Sequence, residues 1–277
     1  MKIATWNVNS LNVRLQHVLD WLALAPVDVL CLQELKIVDE KFPHAALEAV
    51  GYRALSAGQK TYNGVALVYR ASLQLDEADV VRNIPGFEDP QRRVIAATLD
   101  GVRIVSAYFP NGQAPGTDKF AYKLRWMAAL RDWLKDELQR HDKLALGGDF
   151  NVAPEDRDVH DPQAWVGQNL VSVDEREALA QLNALGLHDS FRRFEQAPKA
   201  FSWWDYRMLG FRRNAGLRID HILLSDALIE ACGACEIDKR PRAWEQPSDH
   251  APVIADLDKL PTHVSATEPP PPPTAVA

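Results

Sequence analysis

Short apolar runs, each about one β-strand long, recur along residues 1–257 and alternate with longer amphipathic stretches, and no linker-like segment separates them. Lys2–Trp6, Val29–Gln33, Gly64–Tyr69, Val94–Leu99, Arg103–Tyr108, Leu144–Gly147, Ile219–Leu224 and Val253–Leu257 read as strands. The Asp100–Gly101 turn signal joins two of them into a hairpin. Leu11–Leu24 places Leu11, Leu15, Val18, Leu19 and Leu22 on one helical face, and Pro26 and Asp28 end it. Lys119–Arg140 carries the longest helical stripe, through Phe120, Leu124, Met127, Leu130, Leu134 and Leu138. Ser172 and Glu175 have capping-box spacing, and Gly186 can close the helix that follows. There are more strands than one helix-flanked parallel sheet requires, with hairpins among them. The expected fold class is α/β, with two packed mixed sheets and helices outside.

With 277 residues, 47% of them hydrophobic, residues 1–260 can form one domain around a large core. Beyond Leu260 the composition changes, and 261–277 contains five consecutive prolines. This segment is expected to be a disordered, partly polyproline tail, with a docking segment as the alternative. The first residues lack the apolar run of a signal peptide, and nothing approaches the roughly 18 apolar residues of a membrane span. A soluble, cytoplasmic chain without a membrane partner is therefore expected. Cys31 sits in an apolar run, and Cys232 and Cys235 form a C-x-x-C with no second pair to complete a zinc site. All three read as reduced thiols. The net charge of −7 excludes nucleic-acid binding by bulk attraction but leaves local binding open. Basic residues cluster at Arg92–Arg93, at Lys119, Lys123 and Arg125, and at Arg212, Arg213 and Arg218.

Chemistry is concentrated where apolar runs stop. Asn7 ends the first strand and Glu34 the second, and Asp149 and Asn151 follow LALG in the string GGDFN. Asp220 interrupts LRIDHILL, and Asp249 and His250 stand before the final strand in PSDHAPV. Neighbouring strand ends lie ~5 Å apart, so these groups can converge on one sheet edge. Carboxylates there are costly to bury unless paired or metal-bound. Glu and Asp oxygens with Asn amides suit Mg²⁺ or Mn²⁺ rather than zinc, and histidine beside a carboxylate suits proton transfer or charge stabilisation. Singly, each has a bland reading: Glu34 a surface charge, Asn7 a turn former, GDFN an ordinary turn, Asp249–His250 a strand cap. Their joint occurrence at strand ends is what argues for a site. No G-x-S-x-G elbow or Walker loop is present. The acidic DRDVHD at 156–161 shows no ordered ligand spacing, and His188–Asp189 reads as a helix cap.

The strings WNVNS (6–10), LQELK (32–36), YNGVAL (62–67), AYFPNG (107–112), GGDFNVAP (147–154), FSWWDYR (201–207), GLRIDHIL (216–223) and PSDHAPV (247–253) together resemble the ordered motifs of the exonuclease III and abasic-endonuclease family. That family belongs to the endonuclease/exonuclease/phosphatase superfamily. The resemblance runs from residue 1 to about 257; GDFN is shared across the superfamily, and FSWWDYR with GLRID marks the DNA-repair branch.

The resemblance implies a four-layered α/β sandwich and a Mg²⁺-dependent DNA phosphodiesterase, with Mn²⁺ able to substitute. Glu34 would be the principal metal ligand, with Asn7 and Asp249 close by and Asp149 and Asn151 able to take part. Asp149 would position or activate water, Tyr108 and Asn151 would hold phosphate oxygens, Asp220 would polarise the network, and His250 would contact the scissile phosphate. The sequence leaves open whether Asp149 or His250 is the base, and whether one or two metals act. Lys36 would support the phosphate side, and Lys60, Tyr62 and Asn63 resemble a loop that contacts the DNA backbone. Phe201, Trp203 and Trp204, followed by Arg212 and Arg213, would supply an apolar wedge or abasic-sugar pocket, although core packing is the better reading for one tryptophan. The implied partner is double-stranded DNA with 3′ ends or abasic sites, met by a monomer. The alternatives are a phosphoesterase of the superfamily acting on lipid substrates and a non-catalytic nucleic-acid-binding regulator.

Overall fold

The computed structural model describes residues 1–258 and residue 260, and the proline-rich segment at 261–277 lies outside the described residues. In chain order the strands are β1 (Lys2–Asn7), β2 (Val29–Gln33), β3 (Tyr52–Ala57), β4 (Val65–Arg70), β5 (Leu75–Arg82), β6 (Val94–Leu99) and β7 (Val102–Tyr108). They continue as β8 (Leu144–Asp149), β9 (Leu187–Asp189), β10 (Trp203–Trp204), β11 (Gly216–Leu217), β12 (Asp220–Ser225), β13 (Ala234–Ile237) and β14 (Val253–Asp256). The helices are α1 (Leu11–Leu24), α2 (His44–Glu48), α3 (Asp118–Arg140), α4 (Pro162–Trp165), α5 (Val173–Asn183) and α6 (Asp226–Ile229).

One sheet has the order β13-β14-β1-β2-β4-β3 and the other β5-β6-β7-β8-β12-β9, while β10 and β11 form a small separate ribbon. Each large sheet holds one parallel pair, β1–β2 or β7–β8. A parallel pair needs a long crossover, and α1 and α3 supply the two. Both sheets are mixed and flanked by helices, as the sequence led us to expect.

The layers follow from which face each strand buries. Between the sheets, Ile3, Cys31 and Leu67 of one meet Ile95, Ile104, Ala145 and Ile222 of the other. On the outer face of the first sheet, Ala4, Trp6, Leu30 and Val68 receive Leu11, Val18, Trp21 and Leu22 from α1. On the outer face of the second, Ala96, Val105, Leu146 and Leu223 receive Trp126, Leu130 and Leu134 from α3 and Leu179 and Leu182 from α5. Central strands are thus apolar on both faces, which is why they read as unbroken runs. A Cβ added to Gly147 of β8 would lie 3.3 Å from Cys31 Sγ and 3.5 Å from Thr5 Cβ, so this glycine lets β8 lie close over β1 and β2.

The capping box forms: Ser172 Oγ accepts from Glu175 N, and the Glu175 carboxylate accepts from Ser172 N. Among the described residues, no helix is long and apolar enough to cross a membrane. Cys31, Cys232 and Cys235 are buried and free, and burial raises all three thiols, Cys31 to about 12.

Candidate active site

Strand direction alone gathers the polar residues. β1 and β2 run parallel and finish side by side, with Asn7 opposite Gln33, and Glu34 is the next residue along. β7 and β8 finish together with Tyr108 opposite Asp149. β12 is antiparallel to β8, so its first residue, Asp220, also faces Asp149. Asp249 and His250 precede β14, which is antiparallel to β1 and therefore begins near the end where β1 stops. A cavity of about 300 Å³ forms there, lined by Asn7, Glu34, Tyr108, Asp149, Asn151, Asp249 and His250. Both sheets contribute to it. Glu34 and Asn151 have left-handed backbones, with φ of 54° and 50°. Such conformations are rare outside glycine and cluster at functional sites.

Asp149 is the hub of the hydrogen bonding. Its Oδ1 accepts from the Asn151 backbone N–H at 2.9 Å, and its Oδ2 accepts from Asn7 Nδ2 at 2.9 Å and Asn151 Nδ2 at 3.3 Å. His250 Nε2 lies 3.7 Å from the same Oδ2, and its Nδ1 sits 2.9 and 3.0 Å from the two oxygens of Asp220. Ser202 Oγ donates to Asp220 Oδ2 at 2.7 Å and fixes that carboxylate. On the other side of the cavity, Tyr108 Oη donates to Glu34 Oε1 at 2.6 Å, while Lys36 Nζ stands 3.6 Å from Glu34 Oε2. Asp249 accepts from Asn9 Nδ2 and from Trp203 Nε1, each at 3.0 Å.

Protonation follows from these contacts. Burial alone would depress the His250 imidazolium, but Asp220 first and Asp149 second outweigh it and hold the ring charged up to about 10. Burial raises Asp149 to about 7, against the pull of His250. Burial, then the neighbouring Glu34 and Asp149 charges, push the Tyr108 phenol well above its ordinary value, so it remains a donor. Among the described residues, the acidic or histidine trio with donor atoms within 4.8 Å of one another is Asp149, Asp220 and His250. This buried trio could hold a metal ion, although His250 Nδ1 already faces Asp220. The more open oxygens of Glu34 and Asp249 line the same cavity.

Residues 4–250 match the Endonuclease/Exonuclease/phosphatase family. The exodeoxyribonuclease III of Haemophilus influenzae is 36% identical over 273 residues, covering 93% of this chain and all of the relative. This chain belongs to the exonuclease III family. A 3′ phosphatase from Neisseria, solved with a product DNA hairpin, is 49% identical with a TM-score of 0.89, covering 92% of this chain and 98% of the other. An AP endonuclease from Archaeoglobus fulgidus is 34% identical with a TM-score of 0.88, covering 93% and 99%. As a member of that family, the chain is a hydrolase of the nuclease class.

For this exonuclease III family member, the residues expected on the substrate face lie in different settings. Lys36 lines the cavity and donates to Asn9 Oδ1 at 2.7 Å. Lys60 and Tyr62 are exposed; Tyr62 lines a second cavity of about 760 Å³ that meets the first at Glu34, Tyr108 and Asn111. Asn63 also lines that groove but is buried, with its Nδ2 on Gln59. Arg212 and Arg213 are exposed beyond β10. Phe201 and Trp204 leave the substrate-facing set, because both are fully buried; for Phe201 this corrects the sequence reading, while Trp204 is the one tryptophan for which core packing was the better reading. Successive strand residues point to opposite faces, so Trp203 enters the cavity while Trp204 packs into the core against Phe211. The exposed apolar side chains in this region are instead Tyr206, Met208 and Leu209. The basic clusters also thin out, since Lys123 and Arg218 are fully buried.

Three participants were not singled out from the sequence. Asn9 ties Asp249 to Lys36, Asn111 Nδ2 donates to Asn151 Oδ1 at 3.2 Å, and Ser202 anchors Asp220. All three lie within quoted strings, Asn9 in WNVNS, Asn111 in AYFPNG and Ser202 in FSWWDYR, so the family motifs contained a signal for them.

Proposed function

We propose that this chain is a Mg²⁺-dependent DNA phosphodiesterase that acts at duplex 3′ ends and at abasic sites. The observation that carries this reading is Asp149: a buried carboxylate raised to about 7, beside a charged imidazole and held by two asparagines. A group with a pKa near neutrality suits proton acceptance at working pH.

In this reading Asp149 orients the attacking water and takes its proton. His250 stays protonated against Asp220 and points Nε2 toward the phosphate, so it stabilises charge and Asp149 is the base. Tyr108 and Asn151 border the same space, and to hold non-bridging phosphate oxygens the Tyr108 hydroxyl would turn from Glu34 and the Asn151 amide from Asp149 or the Phe109 carbonyl. The donor chemistry of Glu34, Asp249 and Asn7, all oxygen with no thiolate, fits a hard divalent ion. Glu34 would be the main ligand for Mg²⁺ or Mn²⁺. When bound, the ion supplies charge stabilisation at the phosphate and the leaving oxygen. Asn7 is committed in part, since its amide nitrogen already serves Asp149 and its oxygen accepts from Asn9 N.

DNA as substrate is supported by the Neisseria relative and its product hairpin. Local features agree with it. Met208 and Leu209 are 79% and 62% exposed beside Arg207, Arg212 and Arg213, a combination that suits an apolar wedge against a duplex with cations on its phosphates. Tyr62 borders the groove leading from the cavity, with exposed Lys60 two residues before it in the chain, and both would follow the backbone.

The test uses labelled duplexes with a recessed 3′ hydroxyl, a 3′ phosphate or an abasic site, each with Mg²⁺ or EDTA. Cutting is expected with Mg²⁺ and not with EDTA. Intact substrate in all three Mg²⁺ reactions would sink the reading.

A further inference from the structure

Lys123 sits on the inner face of α3 with its side chain fully buried, and the cation is held by three acceptors from three places in the chain. Its ammonium donates to the Asn151 carbonyl at 2.7 Å, to the Asn111 carbonyl at 3.3 Å and to Glu175 Oε1. An ammonium has three N–H donors, so all are used. Glu175, in the first turn of α5, is also fully buried. Its Oε1 accepts from Leu170 N at 3.1 Å and its Oε2 from Ser172 N at 3.1 Å.

The three segments gathered this way share one property. Asn111, Asn151 and Leu170 all line the catalytic cavity, and each comes from a different loop. These loops follow β7, follow β8 and precede α5, outside the strand ladders; a backbone bond from Ala153 N to Leu170 O at 2.7 Å joins the second to the third, and Lys123 and Glu175 join all three. Asn151 and Leu170 also carry left-handed backbones, with φ of 50° and 72°. Asn169 adds bonds to the Asn111 carbonyl and side chain at 2.8 and 3.0 Å. The Asn111 loop lies directly on the lysine stem, because a Cβ added to Gly112 would meet Lys123 Cδ at 2.9 Å.

A buried ion pair is weak support for stability, since well-packed apolar residues often serve as well. What Lys123 and Glu175 supply that apolar residues cannot is a directional bond to each of three loops. We propose that Lys123 and Glu175 are a positioning pair that sets Asn151, Asn111 and Leu170 in working register around the phosphate. The pair does not touch substrate and acts through Asn151, and the proposal rests on the nuclease reading above.

The experiment is a double-mutant cycle on a recessed-3′-end duplex at saturating Mg²⁺, using wild type, Lys123→Met, Asn151→Ala and the double variant. Methionine keeps the stem and removes the three donors. Lys123→Met should lower kcat on the order of 10²-fold, as misplacing a reacting group does, with KM nearly unchanged. In the Asn151→Ala background the same change should cost less than about threefold, because the group it positions is already gone. A thermal melt shows that each variant is folded at the assay temperature. Wild-type kcat in folded Lys123→Met, or losses that multiply in the double variant, would overturn the proposal. If Lys123→Met does not fold, Glu175→Gln replaces it in the same cycle, with a smaller loss that must again vanish in the Asn151→Ala background. A wild-type enzyme that cuts nothing overturns the nuclease reading and this one with it. A cutting wild type with a multiplicative cycle overturns this one alone.

Discussion

In the proposed mechanism, Asp149 and His250 divide the reaction between them by protonation. Asp149 must be ionised to accept a proton, and burial has raised it to about 7. His250 must stay charged, and Asp220 with Asp149 holds it so up to about 10. Activity should therefore rise as pH increases through about 7 and fall as it increases through about 10. Asp149→Asn should lower kcat by about 10²–10⁴-fold and abolish the limb near 7. A wild-type kcat/KM profile that is flat between pH 6 and 8 would contradict the assignment. These two residues were legible in the sequence because charged groups at the ends of apolar runs stand out. Asn9 and Asn111, although inside the quoted motifs, did not stand out residue by residue, and neither did Lys123. An asparagine in a loop carries no burial signal, and Lys123 looked like part of a basic face. What turns it inward is the partner Glu175, 52 residues further on, together with the Asn111 and Asn151 carbonyls.

At the scale of elements, legibility follows position in the sheet. The eight strands anticipated from sequence are the interior ones, and the four missed in the large sheets, β3, β5, β9 and β13, are their edges. An edge strand has one free side and often a wet face, so charges interrupt its pattern. LDEADVVR in β5 is mostly exposed or half-exposed and shows no apolar run. The acidic DRDVHD segment was also unreadable alone, because its purpose lies elsewhere. Asp158 is fully buried and binds Arg218 Nε at 2.7 Å, Arg218 also pairs with Asp189 at 2.8 Å, and Arg192 joins Asp158. This knot joins the 156–158 turn to β9 and to the residue two before Asp220 in β12. Burial would raise Asp158 and Asp189, but Arg218 outweighs it and holds both below the usual carboxylate range. Arg218→Met leaves these carboxylates without their main partner and should cost about 3–5 kcal/mol in urea denaturation at pH 7. Depressed carboxylates contribute stability above their unfolded pKa of about 3.9, and lose it as pH falls through the folded values. The penalty should therefore shrink below about pH 4. An equal penalty at pH 7 and pH 3.5 would rule this account out.

For the molecule as a whole, the spacing between the sheets matters to the site. Asn7, Glu34, Asp249 and His250 come from one sheet, and Tyr108, Asp149, Asn151 and Asp220 from the other. Gly147 lies two residues before Asp149, where the sheets approach closely. Gly147→Val should destabilise by about 1–3 kcal/mol through overpacking, and should lower kcat even well below its melting temperature. Loss of stability with full activity would show that the site tolerates a shift between sheets. The four-layer plan was legible because interior strands are apolar on both faces, whereas the closeness at Gly147 depends on contacts with residues far away in the chain. One consequence of the topology concerns the growing polypeptide. β1 pairs with β14, aligning Lys2 with Asp256, and the site needs both Asn7 and His250. A chain still being synthesised contains Asn7 long before His250 and cannot complete the proposed site until translation has passed residue 250. On the proposed assignment, no fragment that ends before residue 250 carries the full set of side chains, so the capacity to cut would arrive only when almost all of the catalytic fold has been made.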